Sequence, residues 1–307
     1  MRKSLTVAAV VIVLAVIGLG AFQYFNASTE GSLVPGEPEV PEIAEELAQP
    51  DWCPDVEFIS APGSWESSAE DDPINPQANQ WSYMLSITKP LQEAYTPDHV
   101  KVWTLPYTAQ FKNINSKEEM SYDDSRNEGA SKLKGELGYM HETCPGTKYI
   151  IAGFSQGAVI VGDVASEIGQ GHGVIPADKV MGAIMVADGR RENGVGVNPG
   201  NPVSGVGAEI ALEPLERLVQ TVVPGASMRG VREGGFGELQ DRAFQICAPG
   251  DSICDAPYDV GNALERAHEM VGGNDLHSMY ATNPDVIPGT TTTQWIIDWS
   301  RNAIDTM

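Results

Sequence analysis

The five residues at 153–157, GFSQG, limit the fold of this chain more than any other feature in it. The apolar run YIIA precedes them and a helical pattern, AVIVGDVASEI, follows from Ala158. A serine held on so tight a strand-to-helix turn needs glycine on both sides, because side chains there collide with neighbouring backbone. In this context the pentapeptide predicts a nucleophile elbow that lifts the Ser155 hydroxyl to the carboxyl edge of a sheet. A purely structural Gly/Ser turn is the plainer alternative.

The rest of the chain supplies the sheet. Short apolar runs of strand type lie at Val56–Ser60, Val100–Thr104, Tyr149–Ala152, Val180–Ala187 and Ala243–Cys247, several of them ending at Gly, Pro or Asp. Helical patterns separate them at about Ser121–Met140 and Ala158–Gly169, and Thr292–Asp305 reads as a terminal helix. Strands alternating with helices predict an α/β fold, a doubly wound and mainly parallel sheet flanked by helices, with its site at the carboxyl ends of the strands. With 42 % apolar and 20 % charged residues in 307, the chain is not disordered, collagenous or a multi-span membrane protein. One globular domain over 52–307 is expected.

Two segments precede that domain. Residues 1–26, MRKSLTVAAVVIVLAVIGLGAFQYFN, begin with Arg2 and Lys3 and then carry no charge until Glu30, the pattern of an export signal. The run is long and lacks an Ala-x-Ala site, so a retained membrane anchor with its basic end inside is expected, and the body is extracytoplasmic. Residues 27–51 interleave Pro35, Pro38, Pro41 and Pro50 with seven acidic residues, an extended tether. Acidic side chains outnumber basic ones 42 to 19, which excludes nucleic acid as a partner and otherwise serves solubility.

Cys53, Cys144, Cys247 and Cys254 all follow the export segment, so two disulfides are expected. Three pairings are open, and the separation of seven favours a local staple between Cys247 and Cys254. With no C-x2-C pair and no HExxH helix, neither a metal nor another cofactor is expected.

A serine nucleophile needs an imidazole to take its proton and a carboxylate to hold the ring, in the chain order Ser, acid, His for this type of fold. That order removes His99 and His141, and His172 precedes the strand whose end suits the acid. His268 lies in the charged helical stretch NALERAHEM, whereas His277 lies in the loop GGNDLHSMY, where a ring can reach the sheet edge. His277 is favoured. For the acid, Asp251 in CAPGDSIC follows a strand inside the proposed staple; Asp255, Asp259 and Asp275 are the alternatives.

Cys144 eleven residues before Ser155, the GFSQG elbow, Asp251 between Cys247 and Cys254, and a later His277 together resemble the cutinase family of serine esterases. The resemblance spans about Asp51 to the C-terminus and implies an α/β-hydrolase fold. It also implies the triad Ser155, Asp251 and His277, the bonds Cys53–Cys144 and Cys247–Cys254, and an oxyanion hole from Gln156 and from Ser64 in APGSWES. A tetrahedral oxyanion needs two donors, and loops after the first strand and at the elbow converge there. Ser64 is otherwise an ordinary turn serine.

The anchored form with PGSWES is similar to cutinase-like lipases of mycolic-acid-containing actinobacteria, which implies phospholipase or thioesterase activity on lipid acyl esters or thioesters of the envelope; a monomer is expected. An acyltransferase using an envelope alcohol, or a non-catalytic lipid-binding module, are the rival readings. The stretch 190–241 adds a helical pattern, PLERLVQTVV, with Leu215, Leu218 and Val222 on one stripe. We expect either a core helix or a flap whose apolar face binds the acyl chain, with Met228, Phe236 and Leu239 extending the wall.

Overall fold

Five strands carry the architecture of the computed structural model, which describes residues 49–258 and 275–307. The export segment, all but the last residues of the tether, Asp259 and the stretch holding His268 lie outside the described residues. No helix among the described residues is long and apolar enough to cross a membrane.

In chain order the elements are β1 (Val56–Ala61), α1 (Leu85–Ala94), β2 (Val100–Thr104), α2 (Tyr122–Thr143), β3 (Lys148–Phe154), α3 (Gln156–Gly169), β4 (Val180–Val186), α4 (Ala208–Ala211), α5 (Glu216–Val222), β5 (Ala243–Ile246) and α6 (Thr292–Asp305). The strands pair in parallel in the order β2-β1-β3-β4-β5. The chain therefore winds outward from β1 in one direction and then from β3 in the other, so the switch point lies between these two neighbours. Open α/β sheets of this order bind ligands beyond the carboxyl ends of the strands at that point. The loops after β1 and β3 carry Ser64 and Ser155 respectively.

Both faces of the sheet are covered, which explains the continuous rather than alternating apolar strands. Ile59, Ile151, Ala183 and Met185 face one layer, packing with Leu133 and Leu137 of α2 and Ile160 and Val164 of α3. Phe58, Ile150, Ile184 and Val186 face the other, with Ile87 and Leu91 of α1 and Ile296 and Ile297 of α6. Capping fixes two of the helix starts: Ser121 Oγ accepts from the Asp124 N–H at 3.2 Å, and Thr291 Oγ1 from the Gln294 N–H at 3.2 Å. The four cysteines form Cys53–Cys144, tying the entry of β1 to the end of α2, and Cys247–Cys254, spanning seven residues after β5.

Helix α1 has no counterpart in the sequence reading. Its ten residues, LSITKPLQEA, contain Pro90, which removes an N–H and interrupts the helical pattern. It forms because Leu85, Ile87, Thr88 and Leu91 are buried against the sheet and α6.

Candidate active site

The elbow follows from backbone packing. Ser155 has φ of 54°, a left-handed conformation that a side-chain-bearing residue rarely adopts and that a surrounding structure must enforce. A Cβ on Gly153 would lie 2.3 Å from the Gly157 carbonyl oxygen, and one on Gly157 would lie 2.0 Å from that of Ala61. Strand β3, helix α3 and the end of β1 approach so closely that only glycine fits on either side of the serine.

His277 sits on a single 3-10 turn, Asp275–Ser278, before α6. Its Nε2 is 2.9 Å from Ser155 Oγ and its Nδ1 is 2.9 Å from Asp251 Oδ2. With Asp251 ionised, Nδ1–H donates to the carboxylate, which leaves Nε2 to accept the serine proton. Phe154 stacks on the imidazole at 5.0 Å between centroids, so the residue before the nucleophile also fixes the ring that serves it.

Asp251 is fully buried. Burial alone would push its carboxyl up, but the hydrogen bond and charge of His277, the Ile253 N–H at 3.0 Å and the Tyr280 hydroxyl at 2.7 Å hold it below the ordinary value. Tyr280 donates to the same Oδ2 that His277 uses and accepts from the Ala248 N–H at 2.9 Å. It joins the loop bearing the acid to the turn bearing the imidazole. Asp255 instead braces the loop, accepting from the N–H of Gly205 at 2.6 Å and of Gly250 at 2.8 Å. Asp275 is exposed.

Ser64 Oγ donates to Gln156 Oε1 at 3.1 Å. Gln156 is the first residue of α3, where backbone N–H groups have no partner inside a helix, so the hydroxyl and the helix start face the same small volume. The Ser64 loop is held by Glu66, whose carboxylate accepts from the N–H of Gly63 at 3.0 Å, the N–H of Tyr83 at 2.9 Å and the Ser82 hydroxyl at 3.1 Å. Burial pushes the Glu66 carboxyl above its ordinary value, with these three donors and the charge of His277 opposing it.

A cavity of about 220 Å³ opens beside these groups. Ser64, Ser155, Gln156 and His277 line its reactive end; Phe111, Val159, Met228 and Ile253 supply apolar wall, and the carboxylate residue Glu209 also lines it. Leu215, Leu218 and Val222 do not line it. Val222 is buried with Val219 against Phe111, Tyr122 and Met228 in a small separate core, Leu215 packs on the edge of that core, and Leu218 is exposed. The apolar stripe of α5 faces this core and not the cavity. Phe236 and Leu239 belong to the layer beneath α3, so of the expected wall only Met228 reaches the cavity. Among the described residues, His99 pairs with Asp55 at 2.7 Å and His172 is exposed beyond α3.

Sequence reasoning missed Tyr280, Glu66 and Glu209. Tyr280 carries a faint signal, its place three residues after His277; Glu66 and Glu209 carry none, since all their side-chain partners, and every partner of Glu66 but the Gly63 N–H, are distant in the chain.

A hydroxyl, an imidazole and a carboxylate in hydrogen-bonded series, at the carboxyl edge of a parallel sheet and beside an apolar cavity, define the class of α/β-hydrolases. Residues 52–275 match the cutinase family. The chain is 63 % identical over 307 residues, 99 % of each chain, to the "Carboxylesterase Culp6 homolog" of Corynebacterium glutamicum. It is 28 % identical over 141 residues, 43 % of this chain and 60 % of the other, to the "Probable carboxylesterase Culp7" of Mycobacterium tuberculosis. Among solved structures, an iodinated acetyl xylan esterase aligns with a TM-score of 0.48 at 16 % identity, covering 82 % of this chain and 99 % of its own. The chain belongs to the cutinase family and is an ester hydrolase. Two disulfides in such an enzyme mark it as extracellular.

Proposed function

We propose that this enzyme hydrolyses acyl esters and thioesters of envelope lipids, as a phospholipase and thioesterase, through an acyl-enzyme on Ser155. The observation that carries the reading is the unbroken relay Ser155 Oγ, His277 Nε2, His277 Nδ1, Asp251 Oδ2, with 2.9 Å at both contacts of the ring. Ser155 Oγ attacks the acyl carbonyl carbon as its proton passes to His277 Nε2. The carbonyl π electrons move to oxygen, where the Gln156 N–H and the Ser64 hydroxyl receive the negative charge. Collapse breaks the bond to the alcohol or thiol, which leaves with the proton from Nε2. Water then repeats the sequence with His277 as base and releases the acid. Asp251 stays ionised throughout and stabilises the imidazolium.

The uncharged run at 4–29 supports an envelope location on a retained anchor, with residues 27–51 as the tether and 52–307 as the catalytic domain. Hydrolysis is favoured over transfer by the match to the cutinase family and the likeness to a carboxylesterase relative. Ser155→Ala tests the reading. It should fold with the wild-type melting temperature and lose about 10⁴-fold or more in kcat on p-nitrophenyl butyrate, as nucleophile removal does in such triads. Activity within tenfold of wild type refutes the assignment. Mass spectrometry after exposure to phospholipid and acyl-thioester panels should find the acyl mass on Ser155.

A further inference from the structure

Three donors fix the carboxylate of Asp251, and one of them stands outside the relay. Oδ1 accepts the Ile253 N–H at 3.0 Å, whereas Oδ2 accepts both His277 Nδ1–H at 2.9 Å and the Tyr280 hydroxyl at 2.7 Å. The direction of the Tyr280 hydrogen follows from its other neighbours. The Ala248 N–H already donates to Tyr280 Oη at 2.9 Å, and Cys254 Sγ, 3.3 Å away, is bonded to Cys247 and carries no hydrogen. The phenol hydrogen therefore goes to the carboxylate, in a charge-assisted bond shorter than that of the imidazole.

The phenol is held in that place. Tyr280 and Asp251 are both buried, and the Tyr280 ring lies edge-on to Phe154 at 5.7 Å, Tyr83 at 6.2 Å and His277 at 6.3 Å between centroids. His277 and Tyr280 are three residues apart, and the Met279 N–H between them donates to the Leu276 carbonyl at 3.2 Å, so both donors reach one oxygen from a single short segment. Two donors on one oxygen compete for its charge: the stronger the phenol bond, the less charge that oxygen presents to Nδ1–H. Among the described residues, the other titratable neighbours are Asp255 beside the acid, Asp275 on the imidazole's turn, Glu66 behind the Ser64 loop, Tyr83, and Arg191, whose Nε donates to the Cys254 carbonyl at 2.7 Å. None of these donates to Oδ2 of Asp251.

We propose that Tyr280 is a positioning residue of the relay, whose hydroxyl fixes the Asp251 carboxylate in the plane of the imidazole and limits the charge that this carboxylate presents to His277. This deepens the ester-hydrolysis reading and rests on it. Tyr280 exchanges no proton in the reaction. Burial and the charge of Asp251 push its phenol well above the ordinary value, so it stays a donor while the proton moves between Ser155 and His277. Its action reaches the reacting atoms only through the acid and the ring.

The test is the pH dependence of kcat and kcat/KM on p-nitrophenyl butyrate for wild type, for Tyr280→Phe, and for the enzyme with Tyr280 replaced by 3-fluorotyrosine or 3,5-difluorotyrosine. Tyr280→Phe leaves the carboxylate charge to His277 alone. The acid limb of kcat/KM, which reads protonation of the coupled relay, should move up by about half a pH unit or more. The kcat of the alkaline plateau should fall about tenfold or more as the acid loosens. KM should stay within about twofold, because Tyr280 does not line the cavity. Each added fluorine makes the phenol a stronger donor at nearly the same shape, so the acid limb should step downward from tyrosine through 3-fluorotyrosine to 3,5-difluorotyrosine. A merely structural tie gives no such trend, and the fluorinated series decides the matter if Tyr280→Phe does not fold. An acid limb that does not step downward through the series, or one that Tyr280→Phe leaves in place or lowers, overturns the proposal. Labelling of wild-type Ser155 by a small fluorophosphonate separates the two failures: without it the hydrolytic reading itself is wrong, with it only the role of Tyr280 is.

Discussion

The two halves of the active site are built by different means. The nucleophile half, Ser155 with Gln156 and Ser64, hangs on the carboxyl ends of β3 and β1, neighbours paired residue by residue from Val56↔Lys148 to Ala61↔Gly153. Its geometry is imposed by backbone, down to the glycine contacts that hold Ser155 at φ of 54°. The acid-base half, Asp251 and His277, stands on a loop and a single turn. There the disulfide Cys247–Cys254, the Tyr280 hydroxyl and the stack of Phe154 on the imidazole do what strands do on the other side. A backbone-built half should tolerate change in its periphery, whereas a half built from side chains should fail when one tie is cut.

Asp251→Asn cuts the most important of these ties and should have the largest effect in that half. The amide reverses the tautomer preference of His277, because an Asn can present N–H where the carboxylate accepted Nδ1–H. A loss of about 10⁴-fold in kcat on p-nitrophenyl butyrate is expected, with folding retained. A loss below about tenfold would mean that the ring is oriented by its stack on Phe154 alone, and the contrast between the halves would disappear.

The two disulfides divide along the same line. Closing ninety-one residues by Cys53–Cys144 is worth about 4.5 kcal/mol of stability in the chain-entropy picture, against about 2 kcal/mol for the seven-residue Cys247–Cys254 loop. The smaller contributor should matter more for catalysis, since it encloses Asp251 while the larger one lies at the entry of β1, at the other end of the strand from Ser64. Cys247→Ser with Cys254→Ser should therefore lower kcat by about ten- to a hundredfold while the urea midpoint falls modestly, the smaller loop contributing less. Cys53→Ser with Cys144→Ser should do the reverse. The measurement is kcat beside urea unfolding on both pairs, and equal losses of activity at equal stability would sink the distinction.

The same difference explains what the sequence discloses. All five strands are legible because a doubly covered parallel sheet demands short unbroken apolar runs such as VEFIS and VKVWT, and the elbow is legible because its glycines are local. Asp251 and His277 are found by chain order and loop context. Their ties are not found, because Tyr280, Phe154 and Glu66 act on partners that only folding brings near. That the sequence leaves core helix and flap both open for Leu215, Leu218 and Val222 has another cause. Periodicity correctly marks an amphipathic helix, and α5 covers Glu216–Val222, but it says nothing of which apolar surface that helix covers. Here that surface is the core around Tyr122 and Val223.

The smallest expected effect concerns the carboxylates of the two halves, which are shifted in opposite directions. Asp251 is held below its ordinary value, so its contribution to stability is present above the unfolded carboxyl value and is lost as pH falls through the lowered folded one. Glu66, behind the Ser64 loop, is raised by burial, so the folded protein binds its proton more tightly than the unfolded chain does. Its contribution is fully present below the unfolded value and is lost as pH rises through the raised folded one. Urea unfolding between about pH 3 and 8 reads both, as unfolded carboxyl groups titrate near 4. The stability of wild type relative to Asp251→Asn should increase with pH over this range, and that relative to Glu66→Gln should decrease. If the Glu66→Gln difference instead increases with pH, the donors from Gly63, Tyr83 and Ser82 outweigh burial, and Glu66 is held ionised like the acid of the triad. The nucleophile half would then depend on a buried charge just as the acid-base half does, and the division between a backbone-built and a side-chain-built half would hold only for Ser155 itself.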